Sequence, residues 1–354
     1  MANLNWTKLT QGLNAPPALV DWLNKARDEQ LFRMNLKELS REVKLDVATL
    51  TDYFLRAVLA GHFTLNWAYY CRVCGGMPGF KHNFKELKSS EQCPLCSAVF
   101  RNSLDTNVAV TFTVHPGLLP LPETLSQQAF DAMVQNFKEQ KSSLPQEFLS
   151  GLEMINNPLY HELFGDDVLS TEESLEISRI TLLFTDIKGS TQMYSQYGDA
   201  TSYRIVRDHF KILFSAIEQQ RGVVIKTIGD AVMASFLKPV DAINAALGAF
   251  QAFQQEKWEV LGGGLEIKMG VHVGPAIVVN LNDRVDYFGN TVNLAARIQG
   301  VAENHMICFS RDILNDTPVK ASLKAWTEAN SSKIYRRTAS LKGIDGPVEL
   351  YSVV

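Results

Sequence analysis

Two aspartates and four cysteines carry the spacing that chemistry needs. Asp186 ends the run ITLLFTDIKGST (180–191), where apolar and β-branched residues stop at a carboxylate and a glycine with two hydroxyl residues follows. A buried carboxylate without compensation is costly. Asp230 comes 44 residues later, in IKTIGDAVMASF, at what reads as the turn of a hairpin. If a strand, a helix and a hairpin follow one another, the end of that strand and the hairpin turn are neighbours. Two carboxylates held there repel unless cations lie between them, and hard divalent ions that share phosphate oxygens solve the problem. Two such ions could activate an attacking hydroxyl and stabilise a leaving pyrophosphate. The amides of Gly189, Ser190 and Thr191, at a helix start, are placed to hold phosphate oxygens. Either aspartate alone would more simply be a cap.

The cysteines make a second centre. Cys71, Cys74, Cys93 and Cys96 form two C-x-x-C pairs with 18 residues between them, a zinc-ribbon spacing. In a reducing compartment four clustered thiolates are metal ligands rather than disulfides, so the spacing predicts one structural Zn²⁺. Cys308, in the apolar MICFS, reads as a core residue.

The elements that would position these groups fall into two halves. Residues 18–60 read as helices, with Asp46 as an N-cap and Gly61 as a stop. HFTLNW then alternates like a strand and leads into the cysteines. The order helix, turn, helix, strand is winged-helix-like. NVAVTFTVHPG (107–117) reads as a strand, LSQQAFDAMVQNFKEQ as a helix, and SSLPQEFL as the opening of another helix. An acidic linker is expected over 165–176, which holds five acidic residues and no basic one. It would separate an N-terminal helical and zinc-ribbon domain (1–164) from a second domain (177–354). In the second domain, strand, long helix, hairpin, helix and strand alternate. Val206, Phe210, Leu213 and Ile217 recur at helical spacing, and Gly222 ends that helix. This order predicts an α+β fold, a ferredoxin-like α/β sandwich with helices on one face of an antiparallel sheet.

Composition sets the outer bounds. The 354 residues are 46% hydrophobic and 20% charged with a formal net charge of -4, an ordinary globular composition with no bias towards nucleic acid or an anionic membrane. The opening MANLNWTKLTQG lacks a leader's basic and apolar regions, and no apolar run approaches the roughly 18 residues that span a bilayer. A cytoplasmic location is the expectation.

FTDIKGST, IKTIGDAVMASF and DYFGNTVNLAARI, in that order, resemble the catalytic domain of class III nucleotide cyclases, the adenylate and guanylate cyclase family. The resemblance covers about Ile177 to Val354. It implies a homodimer with active sites at the interface and both chains contributing. It implies that Asp186 and Asp230, with the carbonyl of Ile187, bind two Mg²⁺ or Mn²⁺ ions. Lys226 and Asp286 hold the positions that select the base. Asn293 would orient the ribose and Arg297 would stabilise charge on the α-phosphate. Lys342, in LKGIDG, matches a loop that reaches the triphosphate. Asn293 and Arg297 are four apart and share a helix face. A guanidinium beside phosphate stabilises the charge that develops there. A lysine donor beside an aspartate acceptor fits adenine, so the implied reaction is ATP to cyclic AMP and pyrophosphate in a bacterial adenylate cyclase.

Alternatives stay open. Cytosine presents the same donor–acceptor edge on a smaller ring, so a cyclase using CTP, or GTP or UTP, in bacterial signalling or anti-phage defence is the runner-up. Pro275 stands where some members put a phosphate-binding arginine, and VVNLNDRVDYFG lacks the glycines many members carry before the base-selecting aspartate. FRMNLKELSREVKL, GHFTLNWAYYC and NVAVTFTVHPG resemble a domain of unknown function found upstream of bacterial cyclase domains, which implies a regulatory role with an unknown ligand or protein partner. A silent nucleotide-binding regulator would have lost one of the Asp, Asn or Arg positions, and none is lost. A zinc-containing nucleic-acid binder is opposed by charge: residues 17–70 carry seven basic and seven acidic side chains, and a duplex reader needs a basic face.

Overall fold

The structure is a computed structural model that describes residues 4–262, 264–302 and 307–353. Residues 1–3, which begin the stretch read above for a leader, lie outside the described residues. The chain divides into two compact units. The first is Met1–Ile155, Leu159–Ile177 and Val278–Val285, and the second is Asn156–Pro158, Ser178–Ile277 and Asp286–Val354.

In the first unit, α1 (Trp6–Leu9), α2 (Pro17–Leu23), α3 (Leu36–Val43) and α4 (Val47–Leu59) precede the sheet. Asp46 caps α4 by accepting from the Thr49 amide at 3.3 Å. The strands are β1 (Phe63–Tyr69), β2 (Gly79–Lys81), β3 (Ser90–Gln92), β4 (Val99–Arg101), β5 (Val108–Val114) and, after α5 (Thr124–Lys138), β6 (Leu149–Ser150). The helices α6 (Gly151–Ile155) and α7 (Pro158–Phe164) follow. The sheet order is β2-β1-β5-β6, and β1 pairs antiparallel with β5 from Phe63↔Val114 to Tyr69↔Val108. The winged-helix likeness therefore stops at element order: β1 is a central strand, buried along nearly its whole length because Phe54 of α4 packs on Phe63 (4.8 Å) and Phe112 (5.1 Å). The β3–β4 hairpin is a separate two-stranded piece that carries the second cysteine pair.

Two expectations need correction here. SSLPQEFL does not open a helix. The Ser143 amide donates to Gly75 O (3.0 Å) and the Leu144 amide to Ser142 Oγ (3.1 Å), so this stretch is spent on the cysteine knuckle and then on β6. Nor is 165–176 a free acidic linker. Asp167 accepts from the amides of Phe84 and Lys85, Glu173 from that of Ser89, and Glu176 pairs with Arg72 and Arg101, so its charges hold it within the first unit.

The second unit begins in β7 (Ser174–Ile187) and continues through α8 (Ser190–Tyr197), α9 (Asp199–Gln219), β8 (Val223–Ile228), β9 (Ala231–Phe236), α10 (Pro239–Gln255), β10 (Ile267–Asn280), β11 (Val285–Phe288) and α11 (Asn290–Gly300). It ends with β12 (Ile307–Ser310), α12 (Arg311–Leu314), α13 (Thr317–Asn330), β13 (Ile334–Ser340) and β14 (Pro347–Val353). The sheet order is β13-β14-β12-β10-β7-β9-β8, with β11 paired to β10. It is not wholly antiparallel, because β12 runs parallel to β10.

Nor are all the helices on one face. Leu183, Val271, Ile307 and Phe309 join one core with Leu213 and Ile217 of α9, Ala246 of α10 and Leu323 of α13. Cys308, between two of those residues, packs instead with Ile298 of α11, Leu341 and Leu350. Strand side chains alternate, so α11 covers the opposite face. Gly270 makes this possible: a Cβ there would lie 2.2 Å from the Gln299 backbone nitrogen. At the end of α9 it is Arg221, at φ 57, that turns left-handed, rather than Gly222. Ile225 is an extra residue in β8, since Val224 faces Ala234 but Lys226 faces Met233. Among the described residues no helix is long and apolar enough to cross a membrane.

Candidate active site

β7 delivers Asp186 and Ile187 at its C-terminal end. The β8–β9 turn delivers Asp230, next to Gly229, whose φ of 63 suits a residue without a Cβ. The two aspartates meet as their strand order requires: Asp230 Oδ2 accepts from the Ile187 amide at 3.1 Å. Burial pushes the Asp186 carboxyl above its usual range, and the Asp230 charge pushes it further, while Lys268 and Gln299 pull the other way. Half-buried negative charge in excess of its protein partners is what a cation site looks like before the cation is counted. Gly189, at φ 72, is the N-cap of α8, and the Ser190 and Thr191 amides that follow have no carbonyl one turn back to donate to.

Lys226 follows the extra residue in β8, and its ammonium pairs with Asp286 of β11. Asp286 is almost wholly buried, and its other oxygen accepts from the Tyr287 amide at 2.8 Å. Asn293 and Arg297 are exposed on α11, and neither side chain has a partner among the described residues. Gln299, by contrast, reaches Asp186. At about 100° per residue, Arg297 lies about 200° and Asn293 about 240° around the helix from Gln299. The face with Asn293 and Arg297 is therefore turned away from the carboxylates of its own chain. Lys342 is exposed in the turn between β13 and β14, beside Leu341, which packs on Ile298 of α11. The carboxylates and the first amides of α8 thus form one patch and Lys226 and Asp286 a second, while Asn293 and Arg297 share an exposed face of α11 and Lys342 stands in the β13–β14 turn.

Sequence reasoning passed over Lys268 and Gln299. The signal was period two: Lys268 and Gly270 share the β10 face on which α11 lies, and the bare glycine marks where that helix comes closest.

In the first unit, the sulfurs of Cys71, Cys74, Cys93 and Cys96 all lie within 4.8 Å of one another, with Cys71–Cys96 at 3.7 Å and Cys74–Cys93 at 3.6 Å. A tetrahedral ion with sulfur ligands at about 2.3 Å needs sulfurs about 3.8 Å apart, so the cluster fits a zinc ribbon. The Val73 amide donates to Cys71 Sγ at 3.4 Å. Burial pushes the Cys74 thiol up to about 12, so a cation is what would make that sulfur a thiolate.

A sequence profile of the family described as "Adenylate and Guanylate cyclase catalytic domain" matches residues 172–353. Residues 6–158 match a "Family of unknown function (DUF5939)". An adenylate cyclase of Mycosarcoma maydis is 32% identical over 179 residues, which is 44% of this chain and 7% of that protein. One from Anabaena cylindrica is 29% identical over 188 residues, 49% of this chain and 36% of that protein. The chain thus spans well under half the length of these relatives. Among solved structures, the adenylyl cyclase CyaB from P. aeruginosa is similar at 23% identity and a TM-score of 0.40, covering 51% of this chain and 96% of that one. The profile match takes in half of the sequence and every element that carries these residues, and the chain belongs to the adenylate and guanylate cyclase catalytic domain family.

Proposed function

We propose that the chain is an adenylate cyclase that converts ATP to 3′,5′-cyclic AMP and pyrophosphate as a homodimer. The observation that carries this reading is the pair of half-buried carboxylates, Asp186 and Asp230, joined through the Ile187 amide at the end of β7. Asp186, Asp230 and the Ile187 carbonyl would hold two Mg²⁺ or Mn²⁺ ions, which when bound favour ionisation of the ribose 3′-hydroxyl and offset charge on the leaving pyrophosphate.

The remaining residues orient and stabilise. The ribose 3′-oxygen attacks the α-phosphorus in line, the bond to the bridging oxygen of the β-phosphate breaks, and the hydroxyl proton passes to solvent or to a phosphate oxygen. Gly189, Ser190 and Thr191 offer backbone donors to the phosphates. Asn293 aligns the ribose, and Arg297 holds the negative charge that grows at the α-phosphate. Lys342 reaches the triphosphate from its turn. Because α11 turns Asn293 and Arg297 away from their own chain's aspartates, each site takes its carboxylates from one copy and its Asn–Arg face from the other.

Lys226 and Asp286 read the base. Their ion pair is the resting arrangement, and adenine satisfies both groups by accepting at a ring nitrogen and donating from its amine. Asp286 is too buried to be left unpaired cheaply, so a base without a matching donor is disfavoured. In the first unit the four cysteines would hold one Zn²⁺, and this cytosolic module, residues 1–164, would regulate the catalytic residues 177–354.

The test is product analysis. The purified full chain is incubated separately with ATP, GTP, CTP and UTP, in Mg²⁺ and in Mn²⁺, and the products are separated by chromatography. Cyclic AMP as the main product is the expected result. Cyclic CMP in preference would overturn the assignment of the base while keeping the reaction class. No cyclic product from any nucleotide would overturn both.

A further inference from the structure

The first unit contains a cavity of about 600 Å³ whose chemistry the catalytic reading does not use. Its walls include Phe32, Phe63, Leu65, Phe80, Leu119 and Phe164 beside polar side chains such as Asn66, His82 and His115, so the lining is mostly apolar with several phenyl rings. Among the described residues one arginine lines it. The Arg33 guanidinium lies 4.8 Å from the centre of the Phe32 ring and 4.5 Å from that of Phe80. It is half-buried, and among the described residues no carboxylate pairs with it. Its Nη1 donates to the neutral Met77 Sδ at 3.9 Å, and burial pulls its pKa down while Tyr70 pulls the other way, so its charge is taken out of water without a carboxylate beside it.

The acidic residues that line the cavity do not supply that counter-ion. Both oxygens of Asp167 are taken by the Phe84 and Lys85 amides, at 2.7 and 3.2 Å, and Glu123 is exposed to solvent. The backbone is also set for this arginine. Arg33 has φ 50, a left-handed conformation that side-chain-bearing residues rarely adopt. Its amide is held by Thr113 Oγ1 at 3.0 Å, and the next residue is fixed by Met34 N donating to Phe112 O at 2.7 Å. Backbone strain that tertiary contacts maintain gathers where a side chain must be aimed.

A cavity of this size suits a small organic molecule rather than a macromolecule. Unneutralised guanidinium asks for an anion, and planar guanidinium matches a carboxylate with two parallel hydrogen bonds. Phenyl walls ask for a flat apolar body. We propose that this cavity binds a small aryl carboxylate, with its ring among the phenylalanines and its carboxylate on Arg33. The ligand then supplies the charge that the fold withholds. This inference is independent of the cyclase reading, because binding is measured without turnover.

The experiment is calorimetric titration of the full chain with 2-naphthoate, 2-naphthol and inorganic phosphate. We expect 2-naphthoate to bind at one site per chain, the neutral 2-naphthol to bind at least about ten-fold more weakly, and phosphate not to bind there. Arg33→Gln should weaken 2-naphthoate roughly 10- to 100-fold, as loss of a charge-assisted pair does. Leu119→Trp, which keeps Arg33 but fills the cavity from a partly buried loop position, should abolish binding in a protein with unchanged thermal unfolding. The proposal is overturned if the wild-type chain does not bind 2-naphthoate at millimolar concentration. Binding that is undiminished in folded Arg33→Gln or Leu119→Trp overturns it, and so does equal affinity for 2-naphthol or for phosphate.

Discussion

Two inactive variants should rescue each other. Asp186→Ala removes a carboxylate from one patch, and Arg297→Ala removes the guanidinium from the exposed face of α11. If Arg297 has the proposed role, its loss costs roughly 10³- to 10⁵-fold in turnover, so each variant alone should be nearly silent. The geometry of α11 decides what a mixture does. Gln299 reaches Asp186 of its own chain, and Arg297 lies about 200° around the helix from it. On the proposed reading Arg297 would then serve a carboxylate pair on another copy. If equal amounts of the variants exchange freely in a two-fold dimer, about half of the dimers are mixed, and one of the two sites in each is intact. Activity should then return to about a quarter of the wild-type value at the same total chain concentration. Co-expression with two different affinity tags, followed by purification of the mixed dimer alone, should give about half. A mixed dimer that remains as inactive as its parents would refute the argument, because it would mean that each site is completed within one chain.

Four further outcomes follow from separate parts of the molecule. Gly270→Ala would drive a Cβ into the Gln299 backbone and push α11 off the sheet, costing about 1–3 kcal/mol of stability and most of the turnover; unchanged melting and kcat would contradict that close approach. His209 is buried with its Nε2 unpartnered, and burial pulls its pKa down to about 4. The unfolded chain takes up this proton near 6.5 and the folded one near 4, so stability present at pH 7 should fall by about 2 kcal/mol at pH 5, and His209→Phe should flatten that loss in urea titrations at the two pH values. Cys93→Ser should leave the purified protein with less than one zinc per chain and a lower melting temperature, and a variant with full zinc would remove Cys93 from the ligand set. Asp286→Ala should reduce the preference for ATP over GTP by roughly ten-fold or more in kcat/KM, and a preserved ratio would place base selection elsewhere.

Short-range chemistry was legible in the sequence where chain topology forced the contact. Asp186 and Asp230 could be brought together because a strand end and the following hairpin turn are neighbours in any strand–helix–hairpin unit. The four cysteines were legible because metal spacing is local. The pairing of Lys226 with Asp286 came from resemblance alone, since nothing in either segment reveals a contact across 60 positions. What was illegible depended on tertiary contacts. SSLPQEFL has helical character, yet its Ser143 amide donates to Gly75 of the cysteine knuckle and its Leu144 amide to Ser142 Oγ instead. The acidic run 165–176 has the composition of a linker, but its carboxylates meet backbone amides and two arginines that lie far away in sequence. The placement of α11 on the far face hung on one glycine whose neighbour, Gln299, comes 29 positions later.

The extra residue in β8 has a consequence for solubility. β8 and β13 are the two outer strands of the catalytic sheet, and an outer strand with regular, unpaired backbone groups is a template on which another chain can build. A bulge interrupts that template. β13 at the far end carries Arg336 and Arg337. On this argument the register shift at Ile225, beside the Lys226–Asp286 pair, also works against a second chain stacking on β8. Deleting Ile225 to regularise the strand should yield a protein that clouds on concentration or heating as well as one that misplaces Lys226.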